Sequence, residues 1–434
     1  MMQCKSDVLF LIRRCCWAVA LAGWTIGSQG VRAQWPGWGG PHRDFHVNVS
    51  GLSDDWPADG PKQLWSRKLG VGFSGIAADG GVLYTMYRDG DNEATIAIDP
   101  ATGKTLWETK QVTPIPEEMT DRFGKGPRST PLVHADRVYT LGVAGRVECR
   151  SKKDGKLHWS HDLLKEIGAK IPGFGFATSP IAYHDLLIIA AGGKGAAVVA
   201  FNLVTGKVVW KNFDYGDSDD TGSIYSSPLI INVDGEDQCV LLTGVEVIGF
   251  DPQTGKLKWK RPHENQWKTN ISTPVWGEGN LLYVTSGGEA GSRALHLTRS
   301  GDKTNVAEVW ASRKMAVGQG NVIRVGDHVY GSAGGSSAAF FTSANVKTGE
   351  IAFKKRGFAK SMILSADGKF IVLDENGKLG LIQAKGRTVK VLAEKKLLTK
   401  PAWTIPTLVG KTLYLRDTET MMAIDLGGSA SKGA

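Results

Sequence analysis

Short apolar stretches, each closed by turn residues, run through most of the chain. The clearest unit is Ala97-Ile98-Asp99-Pro100-Ala101-Thr102-Gly103-Lys104-Thr105-Leu106-Trp107. It reads as strand, tight turn, strand. Pro100 pre-sets φ for the turn, and Gly103 supplies the positive φ that closes it. The phrase returns with Trp159, Trp210, Trp259 and Trp310 at its end, and with Phe353 in the same place. The steps from Trp107 onward are 52, 51, 49, 51 and 43 residues. A period of that size built from short strands predicts a propeller or another repeat array.

Each repeat also has an opening phrase. Clear versions are Ser129-Thr130-Pro131, Thr178-Ser179-Pro180, Ser226-Ser227-Pro228, Ser272-Thr273-Pro274 and Thr404-Ile405-Pro406. Weaker ones are Phe73-Ser74-Gly75, Gln319-Gly320-Asn321 and Lys360-Ser361-Met362. Proline at the first position of a strand costs no ladder bond. Together the openings predict an all-β propeller of eight four-stranded blades over residues 61–428. Seven blades is the alternative, because residues 362–400 lack the Thr-Gly-x-x-x-Trp phrase. Gln63-Leu64-Trp65-Ser66 resembles a last strand without a beginning, and the chain ends with three strands that lack a fourth. Pairing the two closes the ring and removes its open edges.

Residues 1–33 read as a secretory signal peptide. Lys5, Arg13 and Arg14 precede an apolar run from Cys15 to Ile26, and Val31-Arg32-Ala33 gives a cleavage site. The protein is therefore expected in the periplasm, the envelope or beyond. Residues 34–60 are rich in Trp, Pro and Gly and read as an extended arm lying on the domain, since Trp35, Trp38 and Trp56 would otherwise be exposed together. Residues 429–434 read as a disordered tail. Two cysteines remain beyond the signal, Cys149 and Cys239, in different repeats, and are expected unpaired and buried.

The net charge is +9, and residues 347–400 carry thirteen Lys or Arg against five Asp or Glu. That segment is a solvated surface or a docking face for an anionic partner. No nucleic-acid motif is present, and no later run is long and apolar enough to span a bilayer.

The Asp-x-x-Thr-Gly-x-x-x-Trp phrase, the Ser/Thr-Pro openings and the ring closure resemble the PQQ-like β-propeller proteins over residues 61–428. Two groups of relatives imply different functions. Quinoprotein alcohol dehydrogenases hold pyrroloquinoline quinone (PQQ) with calcium in the funnel. The propeller of the outer-membrane β-barrel assembly complex is not catalytic. The Trp-Pro-Gly-Trp-Gly-Gly-Pro arm is most similar to secreted PQQ-repeat proteins of planctomycete-type bacteria. The enzymes' vicinal disulfide has no counterpart beyond the signal, where Cys15-Cys16 lies, and their calcium ligands match no motif here.

Other candidate chemistry is sparse. Asp217-Ser218-Asp219-Asp220-Thr221-Gly222 resembles the start of a calcium loop but has Pro228 where a bidentate Glu belongs. His158 with His161, and His42 with His46, lack a third ligand. There is no nucleophile elbow, and Gly192-Gly193-Lys194-Gly195 is a hairpin tip rather than a phosphate loop. The repeat tryptophans Trp65, Trp107, Trp159, Trp210, Trp259 and Trp310 are read as structural staples between blades. The segments preceding the innermost strands rim one end of a propeller and supply Phe73, Arg128, Phe176, Tyr225, Asn270, Gln319, Lys360 and Trp403. The long connection from Thr109 to Pro127 is the candidate loop over that mouth.

These observations predict a non-catalytic scaffold that binds a protein or peptide partner in the cell envelope, with no cofactor. The alternative is a PQQ-dependent alcohol or sugar dehydrogenase with PQQ and calcium.

Overall fold

A computed structural model describes residues 34–119, 122–215, 222–334 and 339–427. The signal segment, the acidic residues 217–220 and the tail lie outside them.

Eight four-stranded antiparallel sheets follow one another, one per repeat, as an eight-bladed propeller. Blade 1 shows how the sequence makes a blade. Its strands are Ala77–Asp79, Val82–Asp89, Asn92–Ile98 and Thr105–Val112, counted outward from the axis. The inner strands are buried almost throughout, because neighbouring blades cover both faces of the sheet. The outer strand alternates between exposed and half-buried residues, as one with a single covered face does.

The turn before each outer strand is locally encoded. Asp99 Oδ1 accepts hydrogen bonds from Ala101 N at 3.0 Å and from both Thr102 N and Thr102 Oγ1 at 2.8 Å. The Thr102 bonds and that from Ala101 hold the Asp99 carboxyl below its usual range. Asn202, Asp251 and Asn345 make the same loop in their repeats. Gly103 closes the turn at φ 71°.

That glycine has a second role. A Cβ on Gly103 would meet the ring of Trp65 at 2.8 Å. The corresponding seats are Gly155 for Trp107, Gly206 for Trp159, Gly255 for Trp210 and Gly349 for Trp310, at 2.5–2.8 Å. Each tryptophan thus lies on the turn of the next blade. Trp65, Trp107, Trp159 and Trp310 also donate their indole N–H to carbonyls there, at 2.8–3.2 Å. Trp259 is the exception. Blade 5 has a longer outer hairpin, Ser292–Ser300 with Lys303–Ser312, and Trp259 bonds Gln238 of its own blade at 2.7 Å instead.

Residues 362–400 do form a blade, so the count is eight. Its outer hairpin turns tightly, with Lys385 opposite Thr388, and leaves no room for the repeat phrase. The ring closes as the sequence predicted: Gln63–Lys68 pairs antiparallel with Thr420–Asp425. Arg416 locks this seam from within. It is 1% exposed and donates to Gly72 O, Ser74 O and Met86 O of the first repeat at 2.8–3.2 Å. Cys149 and Cys239 are free and buried.

The arm runs across one end of the axis. Trp35 exchanges two backbone bonds with Ala78 at 2.7 Å, and Pro36 O accepts from Val133 N. Arg43 then reaches Pro180 O, and His46 Nε2 lies 2.9 Å from Arg324 O. His46–Val47 adds a parallel strand to blade 7 beside Ser365–Ala366. Leu52 N donates to Asp367, and Ser53 N to Leu426 O. The arm therefore visits blades 1, 2, 3, 6, 7 and 8 in ring order. Trp35 is 1% exposed, and Trp38 turns toward the axis, where its indole donates to Thr273 Oγ1 of blade 5 at 3.2 Å.

Candidate functional site

The Ser/Thr opening phrases form a belt around the axis. Ser74 Oγ donates to Ser129 O at 2.7 Å, Thr130 N to Ser179 Oγ at 3.0 Å, and Ser179 N to Ser227 Oγ at 2.9 Å. Ser272 Oγ donates to Gly320 O, Asn321 exchanges two bonds with the Ile363 backbone, and Thr404 Oγ1 donates to Phe73 O. Each link joins one blade to the next, which fixes how the adjoining residues face the axis.

Those residues line an open cavity of about 140 Å³. Every blade contributes: Phe73 and Gly75, Arg128, Ala177, Tyr225 and Ser227, Ile271, Gln319 and Gly320, Met362, and Trp403 with Ile405. Trp38 of the arm also lines it, so the cavity meets the arm at its inner end.

Its outer end is an aromatic collar. Phe73 stacks on Trp403 with ring centroids 5.2 Å apart, and Phe123 meets Trp403 edge-on at 5.3 Å. Phe123 also packs on Phe174 at 5.1 Å, and Phe174 on Tyr225 at 5.9 Å. Two cations lie over rings of this collar, Arg128 over Phe73 and Lys360 over Trp403, each at 5.5 Å. Lys360 is paired with Glu375 at 3.0 Å. Arg128 bonds only neutral oxygens among the described residues: Phe174 O and Gly124 O at 2.8 Å, and Phe123 O at 3.5 Å. Desolvation lowers its guanidinium to about 10, so it stays charged at neutral pH. The Trp403 indole N–H is buried without a partner.

Of the eight residues read from the sequence as rim positions, Phe73, Arg128, Tyr225, Gln319 and Trp403 line this cavity. Lys360 stands over the Trp403 ring. Phe176 and Asn270 are elsewhere. Phe176 is 1% exposed in the core of blades 2 and 3, and its ring fills the space a Cβ on Gly145 would need. Asn270 is fully buried, with Nδ2 donating to Thr243 O at 2.7 Å and His263 O at 2.9 Å, and Oδ1 accepting from Ser286. Successive residues of an extended segment point in opposite directions. Ala177 lines the cavity where Phe176 does not, and Ile271 where Asn270 does not. Phe174 reaches the mouth from the turn before Gly175, whose φ of 75° interrupts the extended run. The sequence reading also missed Phe123, which lies in the long connection it had placed over the mouth, and Trp38 in the arm.

The neighbouring His263, Ser286 and Asn270 make a hydrogen-bonded trio. It is closed to substrate: all three are within 1% of full burial, and desolvation lowers His263 to about 3. His161 ties blades 2 and 3, with Nδ1 at 2.6 Å from Glu166 and Nε2 at 2.7 Å from Gly206 O. No group of three metal-ligating side chains occurs among the described residues.

PQQ with calcium does not fit this lining. The described residues around the cavity include no Asp or Glu to serve as hard oxygen ligands. About 140 Å³ is also well below the roughly 300–1,000 Å³ of sites that enclose a ligand the size of a tricyclic quinone.

The basic segment 347–400 lies mostly on the outer strands of blades 6 and 7. Lys354, Lys355 and Arg356 are exposed on Ile351–Arg356, and Lys390 and Lys396 on Thr388–Lys396. Other cations there are paired: Lys347 with Asp327, Lys378 with Glu394, and Lys369 with Asp54 and Asp367.

The eight four-stranded blades, with tryptophans seated on the turn glycines of neighbouring blades, define a propeller of the PQQ-repeat class. The family model described as outer membrane protein assembly factor BamB matches residues 91–355, and the chain belongs to that family. Among curated relatives, the quinoprotein alcohol dehydrogenase PedH of Pseudomonas putida is 28% identical over 243 residues, 48% of this chain and 36% of its own length. The outer membrane protein assembly factor BamB of Burkholderia pseudomallei is 28% identical over 163 residues, 36% of this chain and 35% of its own length. The chain thus spans only about a third of each of these relatives. Among solved structures, BamB from Moraxella catarrhalis superposes with TM-score 0.57 at 15% identity, covering 84% of this chain and 99% of that one. Quinohemoprotein alcohol dehydrogenase from Comamonas testosteroni gives TM-score 0.65 at 14% identity, covering 93% and 82%. These likenesses establish the fold. No described helix is long and apolar enough to cross a membrane.

Proposed function

We propose that this protein is a non-catalytic scaffold of the cell envelope that holds a protein or peptide partner at the mouth of its axis. The observation that carries the reading is the collar of Phe73, Phe123, Phe174, Tyr225 and Trp403, with Arg128 and Lys360 over its rings. Aromatic and Arg side chains around a small apolar pocket are what peptide-binding hot spots use. The described residues that line the cavity include no carboxylate, and no metal-ligand set occurs among the described residues. The family match and the signal-like segment favour the envelope. The test is a photo-crosslinking residue at position 123 in cells. A discrete adduct is expected, and it should vanish when Arg128, Tyr225 and Trp403 are replaced together. An adduct unchanged by the triple substitution overturns the mouth as the site.

A PQQ-dependent dehydrogenase is the second reading, favoured by the match to PedH and disfavoured by the cavity lining. Titration with PQQ and calcium, followed by tryptophan fluorescence and dye-linked alcohol oxidation, separates it from the scaffold. Saturable quenching with turnover would put the enzyme first.

A further inference from the structure

The cavity, its charge and its aromatic wall together say what kind of peptide the mouth takes. We infer that the axial cavity receives one aromatic side chain of an acidic peptide segment, whose neighbouring carboxylate is held by Arg128. The inference rests on the mouth being the partner site.

Size comes first. A cavity of about 150 Å³ lined by apolar side chains holds one benzene ring, and this one is about 140 Å³. Ile271, Met362, Ile405 and Phe73 give it apolar walls, and Trp38 gives it an inner end. It suits a single ring and no longer group.

Charge comes second. Arg128 bonds backbone carbonyls and has no carboxylate partner among the described residues, although it lines the cavity. A desolvated guanidinium is a strong site for a carboxylate, because the bond is charge-assisted and can be bidentate. Arg416 makes the contrast: its carbonyl bonds close a seam, and its guanidinium is fully enclosed by them.

Third, the ring of Trp403 forms a wall of the cavity, a face on which an entering aromatic side chain stacks. Lys360 and Lys400, where the chain passes from blades 6 and 7 toward the mouth, are paired with Glu375 and Glu419, so the attraction for an acidic segment falls to Arg128.

The experiment uses the purified protein and three fluorescein-labelled hexapeptides read by polarisation. They share one frame around Asp-Phe-Asp, Lys-Phe-Lys or Asp-Ala-Asp. The Asp-Phe-Asp peptide should bind about tenfold tighter than Lys-Phe-Lys and about thirtyfold tighter than Asp-Ala-Asp. Ala177→Phe fills the cavity and should abolish the difference between Phe and Ala peptides. Gln319→Trp does the same from another blade, should the first variant fail to fold. Arg128→Gln should remove the preference for Asp over Lys. Equal binding of the three peptides overturns the inference, as does full Asp-Phe-Asp affinity in a folded cavity-filled variant. If no peptide binds while crosslinking at position 123 still depends on the mouth residues, the ligand class is wrong and the scaffold reading stands. If both fail, both are wrong.

Discussion

The two ends of the propeller axis are built in opposite ways. At the inner end, backbone does the work: the arm adds its N–H and C=O groups to the edges of the innermost strands, as at Trp35 with Ala78 and His46–Val47 with Ser365–Ala366. At the mouth, side chains do it. Phe123 and Phe174 are half-buried, and their contacts are ring to ring. The inner end does leave Trp35 Nε1 and Arg43 Nε without partners, but Trp35 is sealed at 1% exposure. Trp403 and Arg128 instead line an open cavity. A sealed, backbone-paired end contributes to stability, and a side-chain collar around a small void is available for recognition.

The largest effect that would break this contrast is at the sealed end. Trp35→Ala should destabilise the fold by about 3–5 kcal/mol, the usual loss for a fully buried large aromatic, read as a lower denaturant midpoint. Phe123→Ala at the mouth should cost less than about 1 kcal/mol, as for a half-exposed side chain, while crosslinking and peptide binding fall. Similar stability losses at the two ends would erase the distinction.

The next effect is proton-linked and lies at the mouth-side seam of blades 1 and 2. Burial raises the Glu93 carboxyl to about 7, opposed by its bond from Val143 N and by Arg88. The folded state therefore binds a proton that the unfolded chain releases above about 4.5. The contribution is fully present below pH 4.5 and is lost as pH rises through 7. At about 1.4 kcal/mol per pKa unit it amounts to roughly 3 kcal/mol at most. Denaturant midpoints should fall between pH 5 and pH 8, and Glu93→Gln should flatten that slope. A wild-type slope that survives the substitution places the titration elsewhere.

The smallest effect separates two kinds of turn glycine. Gly103 and Gly90 both have positive φ, but only Gly103 faces a tryptophan ring, and nothing lies within 4 Å of a Cβ on Gly90. Gly90→Ala should cost about 1 kcal/mol for the left-handed conformation alone. Gly103→Ala should cost about 1–3 kcal/mol more, for overpacking against Trp65. Equal losses would mean that the tryptophan seat gives way freely.

What the sequence determined by itself is the frame. The Asp or Asn loop, the glycine with positive φ and the tryptophan four residues later are local chemistry, repeated in register, so the blades and the ring closure follow from them. Blade 7 was uncertain because its two-residue hairpin carries no such phrase. The mouth was legible only in outline. Phe73, Arg128, Tyr225, Gln319 and Trp403 line one cavity because the openings were placed correctly. Phe176 and Asn270 went the other way because a change of one residue in an extended segment exchanges the axis for the core. Phe123 and Trp38 were decided by tertiary structure alone. One lies in a long connection and the other in an arm, and neither segment has a periodicity that says where a side chain points. Their positions depend on the openings that the other blades leave, which exist only once the ring has closed.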